Sequence, residues 1–466
     1  MFDRILQRPN CLVNKRNRYQ LLATVLINLI CIAHGIGIGW LSPTLRKLQT
    51  PESPLSFPLN VKEVSWVGSA LGIGSVIGNS LSGLLIHRIG SKMCLLLIAI
   101  PHLCLWIMVY FAKSVEFLIA GRLLAGITGG GIYILHPLFI SEFCDANIRG
   151  TCATMVMLSV NTGILIGYIL GTHVSYYVVP FIALILPLSY FVFVLLFIRD
   201  SPMHLISKGK FLAAEKSFRY YKNIKDGDSV SDQAIAMAEF KNMKVALTKE
   251  DNLLDKVTLK DFATKAALRG YAMAAVIVIA NQFSGVFTMV NYMTDIFAMS
   301  GGSMDPNTST IIIGSVQLFG AYVSTLLCDV FGRRILMLVS SGGVALSLTC
   351  FGFFTYFTQM YDLSEWSWVP AAIMSVDIFL GNIGLVSCLF VLMVEMYPLK
   401  IRAKATSISI VVCSSLVFLM LNIFPLCMHY WGLPTTMWSM ATITAFCFTC
   451  FLLFLKETKG KSMLED

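Results

Sequence analysis

Residues 21–40 read LLATVLINLICIAHGIGIGW, a run of twenty residues that contains no Lys, Arg, Asp or Glu. An α-helix needs about 20 apolar residues to cross the hydrocarbon core of a bilayer. Inside lipid every backbone N–H and C=O has to be bonded within its own segment, so such a run forms a helix rather than a loop. A basic segment precedes it, and no small-residue cleavage site of a signal peptide follows. We therefore predict a membrane-spanning helix over 20–41.

The same pattern recurs along the whole chain. Eleven more apolar runs are predicted to span the membrane, over 64–86, 93–112, 116–138, 151–173, 178–198, 268–293, 309–330, 335–357, 368–394, 405–427 and 434–455. Charged residues make up 13% of the 466 residues, whereas soluble domains carry about 25%. This composition excludes a soluble enzyme and predicts an all-α polytopic membrane protein with about twelve transmembrane helices.

A polar stretch, residues 199–267, divides the predicted helices into two sets of six. We predict an N-terminal six-helix bundle over 1–198, a cytoplasmic linker over 199–267, and a C-terminal six-helix bundle with a short tail over 268–466. The alternation of charged and apolar residues in Phe211–Tyr221 predicts short amphipathic helices within the linker. The linker is too short for a folded enzymatic domain.

Lysine and arginine residues concentrate on one side of the predicted helices. Because basic residues favour the cytoplasmic side, both termini are predicted to be cytoplasmic. The net charge of +9 therefore indicates topology rather than binding to nucleic acid. A glycosylation sequon at Asn307 then falls in the outer loop between the seventh and eighth spans. The spacing of the 13 cysteines indicates neither a disulfide framework nor a metal site.

Similar charged residues recur at the predicted cytoplasmic ends of both halves. The set comprises Arg88, Glu142 and Arg149 in the first half, and Arg333, Arg334, Glu395 and Arg402 in the second. Charge pairs between two halves suit a transporter that rocks, because they hold one conformation and part in the other. Each arginine alone is explained equally well as a loop charge that obeys the topology rule. The duplication of the set favours a cytoplasmic latch.

Four motifs resemble those of the sugar porters of the major facilitator superfamily. They are Gly121-Arg122-Leu123-x-x-Gly126 followed by Glu142 and Arg149-Gly150, Arg199-Asp200-Ser201-Pro202, Asn281-Gln282-Phe283-Ser284-Gly285, and Lys456-Glu457-Thr458-Lys459-Gly460. The resemblance runs from the first span to the tail. The first span looks most like that of the insect trehalose and sugar facilitators.

The resemblance implies a facilitative transporter that moves a sugar, hexose or trehalose, by alternating access between the two bundles. It also implies a protein of the plasma membrane that works as a monomer in the lipid bilayer. No catalytic chemistry, cofactor or metal is expected. Three alternatives remain open: a transporter of a less polar solute, a proton-coupled sugar symporter, and a non-transporting sugar sensor.

The predicted substrate cavity departs from the family pattern. Met157 stands where the family carries a fifth-helix glutamine, and Phe287 stands where it carries a seventh-helix asparagine. The prolines and the tryptophan of the tenth helix are absent. The remaining candidate contacts are polar at Gln282, Asn281, Gln317 and Asn382 and apolar at Phe287, Phe390 and Met157. Each amide is equally suited to bond a neighbouring helix.

Energy coupling is predicted from the charges of the first and fourth spans. Proton-driven relatives set a first-helix aspartate against a fourth-helix arginine. Here Arg122 is present, but the first span holds no carboxylate, so we predict passive facilitation. Arg122 is then a gating or salt-bridge residue that acts on substrate together with Gln282. His34, a residue type whose ordinary pKa lies near neutral pH, and Asp377, a carboxylate inside the tenth span, leave proton coupling as an alternative.

Overall fold

The computed structural model describes residues 17–51, 53–55, 57–224, 233–234, 237–245, 259–301, 304–398 and 401–457. These residues form helices joined by short connections, and none of them lies in a β-strand. Among them, 12 segments are long and apolar enough to cross a membrane. The predictions of an all-α fold and of about twelve spanning helices are confirmed.

Seven helices form the six spans of the first half. They are α1 (Arg18–Gly39) and α2 (Leu41–Leu48), which share the first span, α3 (Val61–Ile89), α4 (Ser91–Tyr110), α5 (Val115–Phe143), α6 (Ala146–His173) and α7 (Val179–Phe197). The start of α3 shows how the sequence sets a helix boundary. Asn60 and Glu63 form a capping box, in which each side chain accepts a hydrogen bond from the backbone N–H of the other.

The polar stretch between the halves, which we call the linker, contributes α8 (Pro202–Ser207) and α9 (Phe211–Tyr221). The second half contains α10 (Lys265–Phe283) and α11 (Val286–Met299) in the seventh span, α12 (Pro306–Phe331), α13 (Arg333–Phe357), α14 (Val369–Gly381) and α15 (Leu389–Glu395) in the tenth span, α16 (Arg402–Tyr430) and α17 (Leu433–Phe454).

Successive spans run in opposite directions, so their ends fall on two faces of the bundle. The terminal face holds the start of α1 at Arg18 and the end of α17 at Phe454, and the distal face holds the opposite ends. Large apolar side chains point outward from the bundle, such as Leu84, Leu196 and Phe446, which are 69%, 67% and 68% exposed. An apolar surface of this extent requires lipid around it.

Two of the predicted spans are interrupted. The seventh breaks at Gly285, whose φ of +75° lies in the left-handed region that glycine enters without strain. A Cβ at Gly285 would also lie 2.9 Å from the Met440 sulfur. The tenth span contains a π-helix at Asn382–Val386. The sequence predicted a continuous seventh span because the apolar run continues through the break.

The two halves pack closely along two seams. In one, α3 lies against α16, and a Cβ added at Gly72 would lie 2.5 Å from the Phe418 Cα. In the other, α6 lies against α12, and a Cβ at Gly314 would lie 2.7 Å from the Tyr168 ring. Small residues permit such close approach in lipid, where helices associate by packing rather than by the hydrophobic effect.

The linker helices lie against the terminal face of the first half. Lys222, directly after α9, forms ion pairs with Asp145, which precedes α6, and with Glu239, at 2.8 Å. The Tyr221 hydroxyl donates to the Arg199 carbonyl at 2.7 Å. Burial raises the pKa of Tyr221, so this phenol remains a donor at neutral pH. These contacts attach the linker to the first six spans.

The predicted position of the glycosylation sequon was wrong. Asn307 lies in the first turn of α12 at the distal face rather than in a loop. The Asp305 carboxylate caps this helix by accepting from the Thr308 N–H at 2.9 Å. Although partial burial acts in the other direction, the bonds from Thr308 and Asn307 hold the pKa of Asp305 below its ordinary value. The cap precedes the sequon, so α12 begins earlier than its apolar run.

Candidate functional site

The middle of the bundle holds buried amide side chains from both halves. Gln282, near the end of α10, is 3% exposed. Its Nε2 donates to Asn281 Oδ1 at 2.8 Å and lies 3.4 Å from the sulfur of Cys413 on α16. Its Oε1 has no hydrogen-bond partner. A buried acceptor is therefore left unsatisfied beside α16.

A second amide pair joins the halves at the seam between α6 and α12. Gln317 Nε2 donates to Asn161 Oδ1 at 2.7 Å, and Gln317 Oε1 has no partner. Asn161 in turn donates to the carbonyl of Met157 on the same helix at 3.1 Å. Gln317 thus combines an interhelical bond with a free acceptor, whereas Met157 is half-buried next to this pair.

Asn79 on α3 is a third buried amide, and the sequence analysis missed it. Its Nδ2 donates to the hydroxyl of Ser414 on α16 at 2.7 Å, and its Oδ1 has no partner. Because Ser414 follows Cys413, Asn79 and Gln282 contact neighbouring residues of one helix. The available signal was an asparagine inside an apolar span, where polar residues mark interhelical or functional positions.

Two of the predicted polar contacts bond the backbone of the broken tenth span instead. Asn281 Nδ2 donates to the Leu385 carbonyl in the π-helix at 2.9 Å. Asn382 Nδ2 donates to the Ile378 carbonyl, one turn earlier, at 2.8 Å. These bonds satisfy carbonyl groups next to the interruption. For both residues, the observed contact is a bond to a helix, which is the alternative to a contact with a solute.

Aromatic rings from the two halves stack on each other inside the bundle. Tyr133 on α5 and Phe390 on α15 stack with ring centroids 5.5 Å apart and planes inclined by 19°. Phe287, in the first turn of α11, is partly buried against the core. The sequence predicted Phe390 and Phe287 as apolar walls and missed Tyr133. Flat apolar ring faces of this kind stack on the C–H faces of a solute.

Arg122 on α5 is 2% exposed and forms no ion pair with any described residue. Its guanidinium donates to the carbonyls of Gly37 on α1 at 2.9 Å and of Val67 on α3 at 3.4 Å. It also donates to Asn291 Oδ1 on α11 at 3.2 Å. The surrounding helices present carbonyls and an amide to the guanidinium rather than an acid.

The segment 290–295 of α11 closes the distal face against the first half, and we call this contact the distal gate. Its hydrogen bonds run from Tyr168 Oη to Val290 O (2.7 Å), from Ser42 Oγ to Thr294 Oγ1 (3.0 Å) and from Gln49 Nε2 to Asp295 Oδ2 (3.3 Å). Tyr292, inside the segment, departs from helical geometry with φ −124° and ψ 17°. Since each bond joins the two halves, the distal face is closed in this structure.

The sequence profile of a family described as "Sugar (and other) transporter" matches residues 18–465. The chain belongs to this transporter family. The facilitated trehalose transporter Tret1 of Bombyx mori is 25% identical to it over 447 residues, which are 96% of this chain and 86% of the relative. Tret1 of Polypedilum vanderplanki is 26% identical over 447 residues, with coverage of 96% and 87%.

Solved structures agree with this assignment at the level of the fold. The xylose transporter XylE from E. coli in an inward-open conformation superposes with a TM-score of 0.77 at 19% identity, covering 95% of this chain and 98% of XylE. A partially occluded inward-open form of XylE gives a TM-score of 0.74 at 18% identity, covering 94% and 100%. The resemblance to sugar porters is confirmed, and the protein is a major facilitator transporter rather than an enzyme.

In this member of the transporter family, the charged residues of the first half make local contacts at the terminal face. Glu142 accepts a hydrogen bond from the Ser91 hydroxyl at 2.8 Å. Arg149 donates to the Cys144 carbonyl at 3.2 Å. Arg88 is exposed at the end of α3. The sequence predicted this cluster but not its partners.

The charged residues of the second half also bond within that half. Arg333 Nε lies 3.7 Å from Glu395 Oε1, and Arg402 Nε donates to the Tyr397 carbonyl at 3.1 Å. Burial raises the pKa of the Tyr397 phenol. At the terminal face, no ion pair between described residues joins the two halves. The contacts described for these charged residues lie within each half, and the latch between the halves stays a prediction.

The tail motif begins with a helix cap. The Glu457 carboxylate accepts from the backbone N–H of Arg333 at 3.0 Å and of Arg334 at 3.1 Å, at the start of α13. The Arg334 side chain donates to the Leu452 carbonyl at 3.0 Å. A carboxylate at a helix N-terminus is favourable because it satisfies free N–H groups. The remainder of the motif, from Thr458, lies outside the described residues.

Proposed function

We propose that this protein carries a sugar across the membrane by facilitated diffusion. The supporting observation is the set of three buried amide oxygens without partners, Gln282 Oε1, Gln317 Oε1 and Asn79 Oδ1. A buried polar group left unpaired costs about 1–3 kcal/mol, so such a set needs an explanation. Hydroxyl groups of a bound solute donate the missing hydrogen bonds. Because the acceptors come from both halves, the solute contacts both.

The chemistry of the surrounding surface fits a sugar in a second respect. A sugar presents hydroxyl donors along its edge and C–H groups on its faces. The amide oxygens accept from the hydroxyls, and the stacked pair Tyr133 and Phe390 offers a ring surface for the C–H faces. The relatives named facilitated trehalose transporters favour trehalose or its glucose units as the first candidates.

The mechanism that we propose is alternating access. Residues 1–198 and 268–466 are the two moving units, and the linker 199–267 connects them. The closed distal gate and the unlatched terminal face correspond to a state that opens toward the terminal face. In the opposite state the distal gate separates, and the charged clusters of the terminal face approach each other to form the latch.

The surroundings of Arg122 support passive transport. Its partners are two backbone carbonyls and the amide of Asn291, none of which gains or loses a proton at physiological pH. Asp377 on α14 is 0% exposed, and neither of its oxygens has a hydrogen-bond partner. It lies inside the second half rather than beside Arg122. We therefore propose a facilitator whose transport rate does not depend on a proton gradient.

The distribution of basic residues supports an orientation in which the terminal face is cytoplasmic. In the plasma membrane, which we propose as the location, the distal face is then extracellular. Each half supplies part of the candidate site within a single chain, so we propose that a monomer is sufficient for transport. The half-buried Asn307, at the distal face, is then an extracellular candidate for glycosylation within the first turn of α12.

A second candidate function is transport of a less polar solute. It is favoured by the contacts of Asn281 and Asn382, whose amides are engaged with the backbone of the tenth span. Met157, Phe287 and Phe390 then leave a cavity with fewer polar contacts than a hexose uses. A solute with two or three hydroxyl groups on an apolar frame suits this arrangement.

The test is uptake of radiolabelled glucose, fructose and trehalose into liposomes that contain the purified protein, with and without an imposed pH gradient. We expect saturable uptake of at least one sugar, equal in both directions and unaffected by the gradient. Acceleration by the gradient would replace facilitation with proton coupling. Absence of uptake of all three sugars by folded protein would favour the less polar solute.

A further inference from the structure

The distal gate contains a buried guanidinium that lacks an acidic partner. Burying a charge is unfavourable unless hydrogen bonds or an opposite charge compensate it. For Arg122 the compensation comes from Gly37, Val67 and Asn291 alone among the described residues. The first two belong to the same half as Arg122. Of its three bonds, the one to Asn291 crosses to the second half.

Both polar atoms of the Asn291 side chain form hydrogen bonds, and the residue is 0% exposed. Its Oδ1 accepts from Arg122 at 3.2 Å, and its Nδ2 donates to the Phe287 carbonyl at 2.9 Å. The amide therefore connects the guanidinium to the first turn of α11, where Phe287 forms part of the candidate cavity wall. Gate and cavity are linked through one side chain.

The backbone around Asn291 is irregular on both sides. Gly285, before α11, has a φ of +75°, and Tyr292, directly after Asn291, departs from helical geometry. A helical piece between two such positions is able to tilt without breaking its own hydrogen bonds, since the flanking residues absorb the change in φ and ψ. Residues 286–291 therefore form a short segment whose position relative to Arg122 is adjustable.

We propose that Asn291 is the positioning residue of the distal gate: it gives Arg122 a neutral acceptor, which holds the gate closed weakly enough to reopen. An ionised acceptor would add a charge–charge attraction to the hydrogen bond and would therefore bind the guanidinium more strongly than a neutral one. A carboxylate here would favour the closed gate, and loss of the acceptor would favour the open gate. This inference rests on the alternating access of the proposed function.

A packing role for Asn291 makes a different prediction. If the side chain only fills space, an isosteric aspartate and an isosteric leucine disturb the gate in the same direction. If it acts as the acceptor for Arg122, the two substitutions change the population of the open gate in opposite directions. The pair Asn291→Asp and Asn291→Leu therefore distinguishes positioning from packing.

The experiment measures access to a reporter within the gate. Ser42 is 0% exposed and bonds Thr294, so Ser42→Cys is shielded while the gate is closed. The rate of maleimide labelling is measured on purified protein in nanodiscs, and the rate of the parent with Ser42 intact is subtracted to remove the native cysteines. No transported solute is needed, so failure of the sugar assignment does not affect the result.

We expect Asn291→Asp to slow labelling about fivefold, because the added ion pair stabilises the closed gate, and Asn291→Leu to accelerate it. In an Arg122→Gln background, Asn291→Asp no longer slows labelling, because the ion pair cannot form. Asn291→Ser, which is too short to reach Arg122, replaces the leucine variant if the latter does not fold. Changes in the same direction for both substitutions, or an aspartate effect that persists without Arg122, would overturn the proposal.

Discussion

Gln317 Nε2 on α12 donates to Asn161 Oδ1 on α6 at 2.7 Å, which joins the two halves at the middle of the bundle. The other end of the same amide, Gln317 Oε1, has no partner. We propose that this free oxygen accepts a hydrogen bond from a bound solute. In that case one residue couples occupancy of the site to the position of the two halves.

Removing that acceptor is expected to weaken sugar binding more than it slows transport. Gln317→Leu loses the free oxygen, so a sugar hydroxyl bound there loses its hydrogen-bond acceptor. An unpaired buried hydroxyl costs roughly 1–3 kcal/mol of binding free energy. We expect KM for sugar uptake to rise about tenfold or more, with a smaller change in the maximal rate. Ser315→Ala, on the lipid-exposed side two residues earlier, is the control and should leave KM unchanged. An unchanged KM in Gln317→Leu would assign the residue a structural role alone.

The stacked pair across the halves gives a second prediction. Phe390→Ala removes the ring that faces Tyr133, and aromatic contacts contribute about 0.5–1.5 kcal/mol beyond the area they bury. Sugar affinity is expected to fall about fivefold, measured as the inhibition constant in an exchange assay. Phe319→Ala removes a comparable stacked ring, 60% exposed on the outside of the bundle, and serves as the control. Equal losses in both variants would contradict a contact with the solute.

The buried carboxylate of the second half gives a third prediction. Asp377→Asn keeps the shape of the side chain and removes its ability to exchange a proton. For a facilitator, sugar uptake and its indifference to a pH gradient should both persist, because no proton is carried. The measurement is uptake into liposomes at two imposed gradients. If wild-type uptake responds to the gradient and the variant does not, Asp377 would be a proton carrier.

The seam between α3 and α16 gives a prediction about stability. A side chain at Gly72 meets the backbone of Phe418, which has no room to yield. Gly72→Leu is expected to lower the melting temperature strongly, since overpacking costs typically about 1–3 kcal/mol or more. Gly83, on the same helix, has nothing within 4 Å of its Cβ position. Gly83→Ala should be neutral or stabilise the helix by about 0.5–1 kcal/mol. Similar melting temperatures for the two variants would contradict the close seam.

The spans were predictable from the sequence because lipid imposes one simple requirement, a long apolar helix. The exceptions arose where local chemistry overrides hydropathy. The apolar run of the seventh span continues through Gly285, so its left-handed turn is invisible to a hydropathy pattern. The start of α12 depends on the Asp305 cap, which precedes the apolar run. Each exception concerns a backbone feature set by one or two residues.

The candidate site was predictable only in part, because its contacts join residues far apart in the chain. Gln282 was identified by its place in a motif and Gln317 as an amide of the predicted substrate cavity, and both keep an unpartnered oxygen. Asn79 carries no motif, and its bond to Ser414 joins α3 to a helix of the other half. Whether an intramembrane asparagine serves the fold or a solute depends on its partner. A single sequence does not contain that pairing.

The central claim is that one site, built by both halves, is exposed to each side of the membrane in turn. Counterflow tests it most directly. Liposomes containing the protein are loaded with unlabelled sugar, preferably the one taken up best, and diluted into a trace of the same labelled sugar. An alternating carrier predicts that label accumulates transiently inside the liposomes above its equilibrium level. Each unlabelled sugar that moves out brings the binding site to the outer side, where labelled sugar binds and is carried in. A monotonic rise to equilibrium without an overshoot would contradict alternating access.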